Sequence, residues 1–192
     1  ELVGEHKLEI KQILAEHYNP IVTRIRKLEK PVIAAVNGVA AGAGANMALC
    51  CDVVVAAAGA SFIQAFSKIG LIPDSGGTYF LPRLIGWQNA SALAMLGDKV
   101  PASEAERIGM IYKVLPDEQF ETESKKMVAT LAAMPTKGLA YTKQLLNMSF
   151  HTDYMEQLAE EDVFQQRAAN TDDFKEGINA FLEKRQPVFK GK

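Results

Sequence analysis

Apolar residues recur near helical spacing at Leu8, Ile10, Ile13, Leu14, Tyr18, Ile21, Val22 and Ile25, which predicts an amphipathic helix at the start of the chain. Asn19-Pro20 interrupts the stripe. Asn caps helices and Pro fits a first turn, so a break or kink is expected there, and Lys30-Pro31 ends the helix. Val32-Ile33-Ala34-Ala35-Val36 is a continuous apolar run, the pattern of a buried parallel strand. Gly38 through Gly44 reads as a turn, and Ala45 to Leu49 as the start of a small-residue helix. Val53-Val54-Val55 reads as a second buried strand and Ser61-Phe62-Ile63 as a short third. Further on, Ser103-Glu104-Ala105-Glu106 resembles a capped helix start, Gly109 stops that helix, and Met110 to Leu115 reads as a strand. Four helices are then predicted, over about 117–133, 136–149, 153–168 and 172–185. The last carries Phe174, Ile178, Phe181 and Leu182 on one stripe, which suits cover over the chain's own core or over another subunit. The fold class expected is α/β: a small-residue β/α core over residues 1–115, and a helical C-terminal region over 116–192.

Composition narrows the function classes. The chain has 192 residues, 48% of them hydrophobic, enough for a real core. Lys plus Arg number 21 against 23 Asp plus Glu, a net charge of −2 that argues against nucleic acid as a partner. No apolar run reaches the roughly 20 residues that cross a bilayer, so no membrane role is expected. Cys50 and Cys51 are adjacent, which is neither a disulfide framework nor a metal-ligand spacing; a reducing, cytoplasmic compartment and no metal are expected. The chain opens at Glu1 with no Met and no signal-like apolar segment, so the natural domain is expected to begin earlier.

Two Gly-rich segments hold the candidate chemistry. Gly38-Val39-Ala40-Ala41-Gly42-Ala43-Gly44-Ala45-Asn46 follows a strand and opens a helix, where free N–H groups can hold an anion. A dinucleotide fingerprint would need Gly where Met47 stands, and no Gly-Lys-Ser/Thr loop is present. Close backbone packing and an oxyanion or phosphate cradle both remain open at this segment. Asp74 lies in Gly70-Leu71-Ile72-Pro73-Asp74-Ser75-Gly76-Gly77-Thr78. Pro-Asp-Gly chemistry makes turns and helix caps, yet a carboxylate in an apolar cleft has a raised pKa and serves as a general acid or base. His6, His17 and His151 are scattered and read as surface or helix-face residues. Cys50-Cys51 and Trp87 read as packing residues, and Glu160-Glu161-Asp162 and Asp172-Asp173 as solvated faces or cap acids. No Gly-x-Ser-x-Gly elbow is present.

These segments resemble the crotonase (enoyl-CoA hydratase/isomerase) superfamily. The resemblance is carried by Lys30-Pro31-Val32-Ile33-Ala34-Ala35-Val36-Asn37-Gly38, Gly42-Ala43-Gly44, Cys51-Asp52, and the Gly70–Thr78 run into Leu81-Pro82-Arg83. Ala102-Ser103-Glu104-Ala105, Ile108-Gly109-Met110, and Lys175-Glu176-Gly177 with Phe181-Leu182-Glu183-Lys184-Arg185 extend it to the end of the chain. It implies a spiral of ββα units, a helical C-terminal region that forms a homotrimer or hexamer, and acyl-CoA thioester substrates, with no cofactor beyond the coenzyme A of the substrate. It also implies a thioester enolate held by two backbone N–H groups. One matches Ala43; the other lies in a segment upstream of anything in this sequence. Roughly the first quarter to third of such a fold is thereby expected before Glu1, so the 192-residue chain alone is expected to be inactive.

The sequence departs from the hydratase pattern. Where that pattern has two Glu residues, this chain has Asn46 and Phe66. Asp74 matches instead the catalytic Asp of the dienoyl-CoA isomerase and 1,2-epoxyphenylacetyl-CoA isomerase branches, the latter being the closer in its Gly-rich runs. The resemblance thus implies Asp74 as catalytic proton shuttle, Ala43 in the oxyanion hole, and Gly42, Asn46, Phe66 and Gly77 against substrate. Lys184 is implied to bind coenzyme A of a neighbouring subunit. A hydratase, a nucleophilic enzyme like the 4-chlorobenzoyl-CoA dehalogenase branch, and a silent CoA-binding or assembly subunit are the alternatives.

Overall fold

The computed structural model describes residues 10–192, so Leu8 of the first stripe and His6 lie outside the described residues. The chain divides into two units: the described chain up to Arg26 with Ile33–Phe120, and Lys27–Val32 with Glu121–Lys192.

In the first unit the opening stripe forms α1 (Ile10–Ile13), a π turn (Leu14–Tyr18) and α2 (Asn19–Lys27). No break occurs at Asn19-Pro20, because Asn19 is itself helical at φ −62° and ψ −41°. The wider π turn spans Glu16, whose carbonyl the Pro20 ring would otherwise crowd, and so the helix passes through. Near the end of α2, Arg26 donates to the Cys50 carbonyl at 2.9 Å and to Asp52 Oδ1 at 3.0 Å, and lies 5.6 Å from the centroid of Phe80.

The strands and helices that follow are β1 (Ile33–Val36), β2 (Val39–Ala41), α3 (Ala43–Leu49), β3 (Val53–Ala57) and β4 (Ser61–Ile63). After them come α4 (Gly77–Leu96), β5 (Lys99–Pro101), α5 (Ala102–Arg107) and β6 (Lys113–Leu115). They build two three-stranded sheets, ordered β1-β3-β6 and β2-β4-β5. β1, β3 and β6 are parallel, with Ile33 opposite Val53; β2 and β4 are parallel, and β5 closes against β4 antiparallel. The two ββα repeats, β1-β2-α3 and β3-β4-α4, each add one strand to each sheet, and β5-α5-β6 adds the third strand of both, the spiral that the resemblance implies. The core between these elements is small-residue and tight: Ala45 and Ala56 are fully buried in one cluster with Phe62 and Leu81. Small side chains let backbones approach closely, and the packing is dense where no large side chain fills it.

Several local expectations are corrected. The Gly38–Gly44 turn contains β2, whose Val-Ala-Ala core is too short to stand out in sequence. α4 has no counterpart among the predicted elements, because Pro82 and Gly86 break the helical pattern; the chain kinks at Gly86, φ 77° and ψ 164°, and continues. Trp87, beyond that kink, is 74% exposed and is not a packing residue. α5 starts at Ala102 behind Pro101, with no side-chain cap, so Ser103 lies inside its first turn. β6 keeps only the last three residues of the predicted strand, and β5 is a strand that the pattern does not predict.

α6 (Phe120–Ala132) starts on the last residue of the first unit, and the second unit continues it from Glu121 and carries α7 (Thr136–Met148), α8 (Tyr154–Ala169) and α9 (Asp172–Leu182). Asp153 caps α8 through the Glu156 N–H, and Thr171 caps α9 through the Phe174 N–H. The Lys143 ammonium is buried and donates to the Lys30 carbonyl at 3.1 Å. Asp173 is not on a solvated face: it is 3% exposed and accepts the N–H groups of Lys190 and Gly191 at 2.6 and 2.8 Å. Phe174, Ile178, Phe181 and Leu182 line, with Pro135 and Phe189, a cavity of about 410 Å³ within this unit.

Glu176 ties the same C-terminal segment. Its carboxylate accepts from the two terminal guanidinium nitrogens of Arg185 and from the Val188 N–H, which hold it down to about 2 from the ordinary 4.5. A carboxylate depressed on folding contributes stability that is present above pH 4.5 and lost as pH falls through about 2. Melting curves recorded against pH are expected to show Glu176→Gln less stable than the unsubstituted chain at neutral pH. The two are expected to converge towards pH 2; a constant gap would show that the loss is not one of ionisation.

Candidate active site

The site begins at the turn from β2 into α3. Gly42 has φ 54° and ψ −126°, a conformation open to glycine, and its N–H donates to the Ile63 carbonyl at 2.8 Å. Ala43 is thus the first residue of α3, where backbone N–H groups have no acceptor within the helix. Asn46 closes that first turn, its N–H donating to the Gly42 carbonyl at 3.1 Å.

The Asn46 side chain is 1% exposed and is engaged at both ends. Its Oδ1 accepts from Gln64 Nε2 at 2.7 Å, and its Nδ2 donates to the Asp74 carbonyl at 2.9 Å. Gln64 follows β4, and its own Oε1 is buried with no partner among the described residues. Phe66 stands in the 3-10 turn Ala65–Ile69; its ring is buried and lies 3.6 Å from where a Cβ on Gly42 would sit.

Asp74 sits in the loop before α4. Its carbonyl takes a second hydrogen bond from the Gly77 N–H at 2.8 Å, and its carboxylate Oδ1 accepts from Ser75 Oγ at 2.9 Å. Gly76 is the cap residue of α4, so the Asp74 carboxylate is not spent as a helix cap. Gly77 is required by close approach: a Cβ there would fall 2.2 Å from Asn46 Nδ2. Gly42, Ala43, Asn46, Phe66, Asp74 and Gly77 are therefore brought together in the first unit. Lys184 belongs to the second, where it follows α9 with φ 55° and its N–H donates to the Phe181 carbonyl.

Sequence reasoning gave no role to Gln64 or Ser75. A polar residue directly after a buried strand, and a serine between an acid and two glycines, were the available signals. Among the described residues no group of three or more His, Cys, Asp or Glu is placed to hold a metal ion. Among the same residues no helix is long and apolar enough to cross a membrane.

Residues 1–192 match the family described as "Enoyl-CoA hydratase/isomerase". A 1,2-epoxyphenylacetyl-CoA isomerase of Escherichia coli K12 is 49% identical over 175 residues, covering 91% of this chain and 67% of that protein. A probable enoyl-CoA hydratase of Rhodobacter capsulatus is 44% identical over 96% of this chain and 72% of its own length. Among solved structures, an enoyl-CoA hydratase from Bacillus anthracis superposes with a TM-score of 0.92 at 30% identity, covering 98% of this chain and 73% of that one.

Proposed function

The chain belongs to the enoyl-CoA hydratase/isomerase family, and on that premise we propose that it is an isomerase of acyl-CoA thioesters. The reaction is a double-bond shift or the ring-opening of an epoxyphenylacetyl-CoA-type substrate. The observation that carries this is the identity of the groups around Asp74. Hydration needs one group to activate water and another to handle the α-proton. Asn46 is an amide tied at both ends, and Phe66 is a buried hydrocarbon ring. The carboxylate in the cluster is Asp74, which suits a single-base proton shuttle.

In this reading Asp74 removes the proton α to the thioester carbonyl, and the C–H electron pair moves into the enolate. The Ala43 N–H donates to the enolate oxygen as charge develops there, an interaction worth several kcal/mol when donors are preorganised. In the double-bond shift the protonated Asp74 then returns the proton to a different carbon, leaving the thioester intact and the double bond moved. The apolar ring of Phe66 keeps water from competing for the enolate. Gly42 and Gly77 border the acyl site through their backbones, the space beside the Gly77 Cα being filled by the Asn46 amide, and Lys184 binds the coenzyme A of a neighbouring subunit. No further cofactor enters the scheme. Assembly as a homotrimer or hexamer through the second unit, and a cytoplasmic location, belong to the same proposal; the exposed apolar stripe of α9 supports the first.

The test is a substrate panel given to the full gene product: a straight-chain 3-enoyl-CoA, a dienoyl-CoA, an aromatic epoxide CoA ester, and crotonyl-CoA. Isomerisation of one of the first three without hydration of crotonyl-CoA is expected. Hydration as the fastest reaction would replace this reading with that of a hydratase.

A further inference from the structure

Ser75 occupies a backbone position that does not suit it. Its φ is 51°, in the left-handed region that L side chains rarely adopt, and it stands beside Gly76 at φ 81°. Glycine would meet the turn at lower strain, so the serine side chain carries something the turn itself does not require. The side chain is 2% exposed and therefore gains nothing from solvent. Its hydroxyl donates to Asp74 Oδ1 at 2.9 Å. The strained φ and the hydrogen bond belong together, because the left-handed turn brings the side chain of one residue back onto the carboxylate of the residue before it.

We infer that Ser75 is a positioning residue for proton transfer: its hydroxyl fixes the Asp74 carboxylate plane and occupies Oδ1, so that Oδ2 alone takes and returns the substrate proton. The inference rests on the reading of Asp74 as the base. A carboxylate turning freely about its last bond offers either oxygen in many directions, and a base misplaced by about 1 Å can cost on the order of 100-fold in rate. The Ser75 bond survives both halves of the shuttle. Before transfer it reaches a charged oxygen, the stronger case; after Oδ2 takes the proton, Oδ1 is the carbonyl oxygen and still accepts. The main chain of Asp74 is held separately by Asn46 and Gly77, so loop and carboxylate have independent anchors.

Two substitutions separate the hydroxyl from the backbone strain. Ser75→Gly removes both, while Ser75→Ala removes the hydroxyl and keeps the strain. In the full gene product both are expected to lower kcat by roughly 10- to 100-fold with KM within about twofold. Both are expected to raise the primary isotope effect with α-deuterated substrate, because proton transfer becomes slower than the other steps. Ser75→Gly is expected to melt no lower than the unsubstituted protein, and Ser75→Ala to melt below Ser75→Gly. Unchanged kcat and isotope effect in Ser75→Gly, or a rate loss confined to Ser75→Ala, would overturn the inference. Asp74→Asn, run alongside, distinguishes the two levels: full turnover there removes the base itself, whereas loss there with an unaffected Ser75→Gly removes only the role of Ser75. The ¹³C resonance of the Asp74 carboxyl gives a readout independent of turnover. It is expected to move in Ser75→Gly, and an unmoved resonance would show that the hydroxyl does not hold the carboxylate.

Discussion

Asp74→Asn is expected to lower kcat for 3-enoyl-CoA or epoxide isomerisation by about 1,000-fold, within the range of a positioned general acid–base group. The substitution is nearly isosteric. The asparagine Oδ1 still accepts the Ser75 hydroxyl, and the hydrogen bonds that hold the loop go to the Asp74 carbonyl, which is unchanged. The melting temperature and KM are therefore expected to stay close to those of the unsubstituted protein. What disappears is the ability to accept a proton, because an amide is not a base near neutral pH. Steady-state kinetics with a circular dichroism melt on the same sample is the measurement. Undiminished turnover would remove Asp74 from the mechanism. A loss of turnover accompanied by unfolding would show that the carboxylate serves the loop and not the chemistry.

The parts of this molecule that are legible in sequence are those with a periodic or compositional signal. β1 and β3 are short runs of β-branched residues and alanine, and α9 carries one clean apolar stripe. α4 is hidden by Pro82 and Gly86, both helix breakers, although tertiary packing of Leu81 and Ile85 keeps its first segment helical. β2 and β5 are three residues each and exist through pairing with β4, a non-local cause with no local trace. At the site, the acid and the Gly-rich turn are visible as residue types, and the resemblance assigns them partners. The connections between them are not visible. Asn46 and Gln64 are 18 residues apart, and Asn46 and Asp74 are 28 apart, so their hydrogen bonds depend on the spiral bringing β4, α3 and the Asp74 loop to one place. Asp173 reads as a solvated acid for the same reason: its partners, Lys190 and Gly191, arrive from 17 and 18 residues later.

Gly77→Ala is expected to be among the most damaging single-methyl additions in the first unit, because of where its Cβ would fall. The site of that carbon lies 2.2 Å from Asn46 Nδ2, 2.6 Å from its Cγ and 2.7 Å from its Oδ1, well inside contact distance. A flexible surface side chain would swing away at little cost. Asn46 is held from both sides and is 1% exposed, so moving it leaves the Gln64 amide short of its buried partner and takes one of the two hydrogen bonds from the Asp74 carbonyl, which keeps that of the Gly77 N–H. Overpacking and lost buried hydrogen bonds together predict a destabilisation of roughly 2–4 kcal/mol by urea unfolding. Turnover is expected to fall as well, since the Asp74 loop loses its anchor to α3. The cause can be isolated with Asn46→Ala, which alone costs about 1–3 kcal/mol through the same unpaired groups but opens the space that the added methyl needs. If the Asn46 amide is the obstacle, the two substitutions are strongly non-additive, and the double variant is about as stable as Asn46→Ala alone. Strict additivity would place the damage of Gly77→Ala in the backbone of α4, and the link between Asn46 and the Asp74 loop would then not be what the glycine protects.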